Sequence, residues 1–248
     1  MEETWEEKIK QLQDMVDQFQ KIVFFGGAGI STESGIPDFR SVDGLYHQNY
    51  TFPPETILSH SFYMSHHEEF YQFYYDKILV EGIEPNVAHR KLAEMEEKGK
   101  LSAIVTQNID GLHQKAGSKT IYELHGTVWQ NHCERCHKSY SLEEMLAFKH
   151  DGNLHPRCTC GGDIKPDVVL YEEGLDNQVV QNAIKSISEA DMLMIAGTSL
   201  VVYPAAGLID YYRGNHLVLI NKSATSHDSD ANLVISESIG KVLSQIQV

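Results

Sequence analysis

Basic charge is what this 248-residue chain most conspicuously lacks: 20 Lys and Arg stand against 35 Asp and Glu, a formal net charge of −15. That balance argues against non-specific nucleic-acid binding and against docking on anionic membranes. It suits a lysine-rich partner, although most acidic charge is solvated surface. No apolar run approaches the ~20 residues of a membrane span. The opening MEETWEEKIK has no signal-peptide apolar core, so a cytoplasmic protein is expected. Internal repeats and low-complexity tracts are missing too. Cysteine is absent except for Cys133, Cys136, Cys158 and Cys160. Without a secretion signal, that clustering favours a metal over disulfides.

What is there reads as an α/β protein. Apolar runs at 21–25, 101–105, 121–124, 191–196, 216–220 and 233–235 alternate with helical patterns at 86–98, 177–189, 204–213 and 238–246. A helix at 4–19 precedes them. Such alternation predicts a doubly wound, Rossmann-like parallel sheet. Two stretches break the rhythm. Residues 42–84 are rich in aromatics and His, with Pro53-Pro54 marking a turn. Residues 131–165 carry the cysteines. We read these as a helical insertion (42–84) and a zinc-binding insertion (131–165) that together form a small domain. The sheet domain would comprise 1–41, 85–130 and 166–248.

Cys133-x-x-Cys136 followed by Cys158-x-Cys160 can complete a tetrahedral thiolate shell with no open position, so one structural zinc is expected. Arg135, Lys138 and Arg157 would partly offset its charge. Redox thiols or an iron–sulfur cluster are the alternatives.

The run Lys21–Phe25 stops at Gly26-Gly27-Ala28-Gly29, a strand breaking into a turn that glycine permits. Its backbone, and amides at a following helix start, can grip a pyrophosphate. As a dinucleotide fingerprint the segment is incomplete: Thr32 takes the third glycine's place, and no acid follows about 20 residues on. A glycine turn without ligand is the competing reading. Asp38, Phe39 and Arg40 then add an acid, a ring and a cation. Beyond the strand 101–105, Gln107, Asn108, Ile109 and Asp110 present groups able to bond ribose hydroxyls and a carboxamide, although Asn108 or Asp110 could equally cap a helix. His125 precedes Gly126 at another strand end, a candidate general base or a structural histidine. Gly197, Thr198 and Ser199 follow a strand and can bind phosphate. Asn221 ends the next.

Taken together, GAGIS (27–31), GIPDFR (35–40), TQNID (106–110), HG (125–126), the four cysteines, KPDVV (165–169), GTSL (197–200) and IN (220–221) resemble the sirtuins of bacterial type, the NAD-dependent protein lysine deacylases. The motifs run almost end to end in the family's order. The resemblance implies NAD as a consumed co-substrate: the acyl-lysine carbonyl oxygen attacks C1′ of the nicotinamide ribose and nicotinamide leaves. His125 then acts as base on the ribose hydroxyls, and lysine and O-acetyl-ADP-ribose are released. It also implies that Asn108 and Gln107 hold the ribose, Asp110 the carboxamide and Arg40 the pyrophosphate, with Phe39 over the nicotinamide pocket. Gly27, Ala28, Gly29, Thr198, Ser199, Asn221, Ser238 and Ile239 would cradle the ADP half. Val168 and Val169 would line the acyl-lysine tunnel. Acetylated lysine peptides would be the partners of a monomer.

Two departures qualify this. The family's aromatic–Gly–Glu after the valines is here Leu170-Tyr171-Glu172-Glu173. The Tyr-x-x-Arg pair of desuccinylating members is replaced by Tyr71-Gln72-Phe73-Tyr74, so neutral acyl groups are expected. Mono-ADP-ribosyl transfer and a non-catalytic NAD or ADP-ribose sensor are the other functions compatible with such a site.

Overall fold

The computed structural model describes residues 3–38, 44 and 51–248. Its strands are β1 Ile22–Gly26, β2 Leu101–Thr106, β3 Ile121–Glu123, β4 Gly126–Cys133, β5 Ser139–Ser141, β6 Ile164–Val168, β7 Met192–Ala196, β8 Leu217–Ile220 and β9 Leu233–Ile235. The α-helices are α1 Trp5–Gln18, α2 Pro54–Ile57, α3 His60–Ser65, α4 His67–Phe73, α5 Val87–Glu97, α6 Leu112–Ala116, α7 Leu142–His150, α8 Asn177–Ser188 and α9 Ile239–Leu243.

Six strands form one parallel sheet in the order β3-β2-β1-β7-β8-β9. β1 and β7 are buried along their whole length, as the continuous apolar runs require of strands covered on both faces. One core cluster packs α1, α5 and α9 against the sheet through Leu12, Val16, Leu92, Val242 and Leu243. A second, through Ala183, Ile187 and Leu208, fills the other face. The strand order reverses between β1 and β7. Ligands of such sheets bind at that switch, beyond the carboxyl ends of the strands.

β5, β4 and β6 form a separate antiparallel sheet. Its apolar side shares one cluster with the helical segment 57–79, where Phe62, Tyr63, Phe70, Tyr71, Phe73 and Tyr74 meet Val128, Met145, Ile164 and Val168. The aromatic wealth of 62–75 is therefore interior packing. Pro53-Pro54 starts a helix rather than only a turn: Pro54 is the first residue of α2, where its fixed φ and missing N–H cost nothing. The segment predicted as a helix at 204–213 is a 3₁₀ helix, Ala205–Tyr211.

Candidate active site and zinc centre

The carboxyl ends of β1, β2, β3, β7 and β8 place Gly27, Gln107, His125, Gly197 and Asn221 along one edge of the sheet. At the switch, Gly29 and Gly197 pack backbone against backbone. Gly29 donates its N–H to the Gly197 carbonyl at 2.8 Å. A Cβ on Gly29 would lie 2.7 Å from Gly197 Cα, and one on Gly197 2.6 Å from the Ile30 nitrogen. The glycines are thus needed for this contact as well as for any ligand. Most backbone amides of this turn are also engaged within the fold. The N–H groups of Gly27, Gly29, Ile30 and Ser31 bond to Ala196, Gly197, Gly27 and Ala28, leaving the Ala28 amide without a partner among the described residues. Nor does an α-helix begin here: the turn runs into two short 3₁₀ helices, Ala28–Ile30 and Thr32–Ser34.

Asn221 is also more engaged than expected. Its Oδ1 accepts the Thr198 N–H at 3.1 Å and its Nδ2 donates to the Thr198 carbonyl at 2.9 Å. Its side chain therefore holds the loop after β7 in shape. Gln107 Nε2 donates to Thr198 Oγ1 at 3.0 Å, tying the loops after β2 and β7 across the switch. Ser199 is exposed. Ile239 gives its side chain to the main core, so its backbone is what it can offer a ligand. Ser238 stands just before it at the start of α9. Asp38 is half-buried, and Phe39 and Arg40 lie outside the described residues.

Ser31 organises the polar centre. Buried at 1% exposure, it donates to Asp110 Oδ2 at 2.7 Å and receives a bond from Asn108 Nδ2 at 3.1 Å. Burial raises the Asp110 pKa, while bonds from Ser31 and the Leu112 amide pull it back. Asn108 is buried, and its N–H is fixed on Thr106 Oγ1. Half-buried Ile109 packs its side chain against the small sheet's cluster.

His125 sits between β3 of the large sheet and β4 of the small one. Its Nδ1 lies 2.9 Å from the Gln107 carbonyl, an oxygen that can only accept. Nδ1 therefore carries the proton and Nε2 presents a lone pair. Burial lowers the pKa, partly countered by the bond to Gln107, so the ring is a neutral base at pH 7. Gly126 next to it has φ 74°, and a Cβ there would meet the Asp167 carbonyl at 1.9 Å. The His125 carbonyl accepts the Val169 N–H at 2.9 Å, which brings Val168 and Val169 alongside the histidine. Lys165, 8% exposed, reinforces that strand by donating to the Val168 carbonyl at 2.9 Å and pairing with Glu173 at 3.2 Å.

The four cysteine sulfurs converge, all within 4.8 Å of one another. Cys133 and Cys160 are 3.5 Å apart and Cys136 and Cys158 3.6 Å. A tetrahedral ion with Zn–S about 2.3 Å requires about 3.75 Å between sulfurs. The set fits structural zinc. Cys158 is held down to about 6, chiefly by the Cys160 N–H with help from the Tyr140 hydroxyl, which favours the ligating thiolate. Arg135 reaches the Cys160 carbonyl at 3.0 Å. Lys138 instead lies over the Tyr140 ring, and Arg157 pairs with Asp163 at 3.5 Å.

A family model described as the Sir2 family matches residues 27–204. A protein of Clostridium acetobutylicum named NAD-dependent protein deacetylase is 58% identical over 243 residues, covering 97% of this chain and 98% of its own. This chain belongs to the Sir2 family. A second NAD-dependent protein deacetylase, from Clostridium perfringens, is 58% identical over 245 residues, covering 97% of this chain and 99% of its own. Among solved structures, a Sir2 with a p53 peptide and NAD+ superposes with a TM-score of 0.85 at 39% identity, covering 96% of each chain. A Sir2 bound to a propionylated peptide gives 0.85 at 38% identity, again covering 96% of each.

Of this Sir2 site, sequence missed Ser31 altogether and, for Glu172, the partners it finds in the fold. Ser31 stood inside GAGIS without being singled out; a small hydroxyl among apolar neighbours was its only mark. Glu172 occupies the place of the family's glycine at φ 76°. Its carboxylate accepts from the Ser61 N–H and Oγ, each at 2.9 Å, closing the loop onto α3. The flanking Tyr171 exchanges backbone bonds with Leu58 and His60. Nothing local in the sequence announces that pairing.

Proposed function

We infer that this chain is an NAD-dependent protein lysine deacetylase that releases nicotinamide and O-acetyl-ADP-ribose. The observation that carries the reading is His125. Its Nδ1 proton is committed to the Gln107 carbonyl and its Nε2 has no partner among the described residues, on a ring kept neutral by burial. A sensor that only binds a nucleotide has no need of such a base.

Bound NAD supplies an electrophilic C1′ once nicotinamide departs. Gly27, Ala28, Gly29, Gly197, Thr198, Ser199, Asn221, Ser238 and Ile239 flank the ADP half. Gln107, Asn108, Ile109 and Asp110, with Asp38, Phe39 and Arg40, serve the nicotinamide ribose and carboxamide. Asn108 orients the reacting ribose, and His125 Nε2 accepts a proton from its hydroxyls. Val168 and Val169 receive the acyl-lysine. Neutral acyl groups are favoured because Tyr71 is buried with its hydroxyl bonded to the Ile164 carbonyl and Tyr74 is buried beside it, so these two positions offer no cation to a carboxylate. We assign 1–41, 85–130 and 166–248 to the NAD-binding domain, and 42–84 and 131–165 to the small domain. The protein acts as a cytoplasmic monomer that does not read nucleic-acid sequence. Among the described residues no helix is long and apolar enough to cross a membrane.

The test is an acetyl-lysine peptide with NAD. Nicotinamide should appear in step with deacetylation, and His125→Ala should abolish turnover while sparing the fold. Self-labelling from NAD without deacetylation would transfer the assignment to ADP-ribosylation. NAD binding without its consumption would leave a sensor.

A further inference from the structure

Away from the sheet edge, His67 from α4 meets His155 and Asp163 from the cysteine segment. One ligand-capable atom of each lies within 4.8 Å of the others. His155 Nε2 is 2.7 Å from Asp163 Oδ1, and His67 Nε2 is 3.8 Å from Asp163 Oδ2. The two imidazoles stack with centroids 4.3 Å apart. Two stacked rings cannot both be cations without mutual repulsion, so the arrangement keeps at least one lone pair available. That ring is His67, which burial and the neighbouring His155 hold below its ordinary pKa.

We propose that His67, His155 and Asp163 form a second, exchangeable site for a borderline divalent transition ion such as Zn²⁺, separate from the four-cysteine centre. Two imidazoles with one carboxylate select that class over Mg²⁺ or Ca²⁺. Ligand distances of about 2.0–2.2 Å put tetrahedral ligand atoms about 3.3–3.6 Å apart. The 2.7 Å contact of His155 with Oδ1 must therefore open by a fraction of an ångström, and His67 Nε2, now 3.8 Å from Oδ2, must come within that range of the oxygen that binds. To take the ion, His155 adopts the tautomer whose proton sits on Nδ1, so that Nε2 and the carboxylate both offer lone pairs. Two other charges face the site. Glu134, which accepts the Tyr63 hydroxyl at 3.0 Å, adds negative potential. Arg157 stands 3.5 Å from Asp163 Oδ1 but is 59% exposed, and can turn outward.

All three ligands are partly open, with side-chain exposures of 16%, 27% and 31%, so an ion can enter from solvent. His67 Nδ1 is buried with no partner among the described residues. Metal-bound histidines ordinarily anchor that second nitrogen, so this site binds more weakly than the thiolates. Its ligands come from both insertions. The Asp163 carbonyl also takes the Glu134 N–H at 2.9 Å, next to Cys133. An ion here would staple the helical insertion to the zinc ribbon.

Protein carrying one zinc per chain should be titrated with Zn²⁺ at neutral pH, following uptake by calorimetry and metal content after buffer exchange. A second equivalent, bound more weakly than the first, and a raised melting temperature are expected. His67→Gln and His155→Gln should each weaken that equivalent about 10–100-fold while the first zinc stays. Asp163→Asn, nearly the same shape, should do likewise and covers the case of a histidine variant that does not fold. Saturation at one zinc in the wild type, or a second equivalent held equally well by these variants, would overturn the proposal.

Discussion

Ser31→Ala removes one oxygen from a 1%-exposed position, and its cost can be worked from two bonds. The bond to Asp110 Oδ2 at 2.7 Å goes to a charged acceptor, worth about 1.5–3 kcal/mol. The bond from Asn108 Nδ2 at 3.1 Å is neutral, about 0.5–1.5 kcal/mol. Together about 2–4.5 kcal/mol is at stake. For a chain of this size that lowers Tm by roughly 4–18 °C. The loss has a pH signature. Burial already raises the Asp110 pKa, and the Ser31 donor opposes that rise. Its bond favours the carboxylate, so the difference between variant and wild type is full where Asp110 is ionised. It shrinks as the pH falls through the folded-state pKa, which lies above the ordinary aspartate value. Thermal melts of both proteins from pH 7.5 down to pH 4.5, with KM for NAD measured at pH 7.5, test this. KM should rise at least about tenfold, one such bond's worth, because Asp110 and Asn108 lose their common anchor. An unchanged KM, or a destabilisation equal at both ends of the range, would refute the role given to Ser31.

His89 and His113 are buried with ring centroids 4.9 Å apart, and burial lowers their pKa values to about 4 and about 3. Both stay neutral in the fold and protonate in the unfolded chain. Stability is therefore full above about 6.5 and declines below it, by about 2 kcal/mol per histidine at pH 5. Neither His113 nitrogen has a partner among the described residues, so His113→Leu should be nearly neutral at pH 7 and flatten the acid decline; pH-resolved urea melts with unchanged slope would contradict this. Glu172→Gly exchanges left-handed strain for two lost bonds and should change stability by less than about 1 kcal/mol, whereas Glu172→Ala keeps the strain and should cost about 1–3 kcal/mol; an alanine variant as stable as the glycine one would count against the account. Cys158→Ser should lose the structural zinc and cooperative melting of the small module, read by metal content and calorimetry.

Much of this fold was legible because its causes are local. Buried parallel strands are written as continuous apolar runs, and β1 and β7 sit where Lys21–Phe25 and 191–196 predicted them. The C-x-x-C and C-x-C pairs state a tetrahedral donor set, and four sulfurs spaced for it are found. Glycine positions marked the backbone turns, but the partners of those turns were illegible. Gly29 faces Gly197 across the switch, a juxtaposition made by strand order.

By itself, then, the sequence determined the element types, the zinc set and the family, since each depends on residue type at short spacing. Only the tertiary structure decided which His125 nitrogen holds the proton, that Ser31 joins Asn108 to Asp110, that Asn221 braces a loop, and that His67 meets His155 and Asp163. Those facts rest on hydrogen bonds and contacts between segments tens of residues apart, whose geometry exists only once the sheets and their insertions have packed.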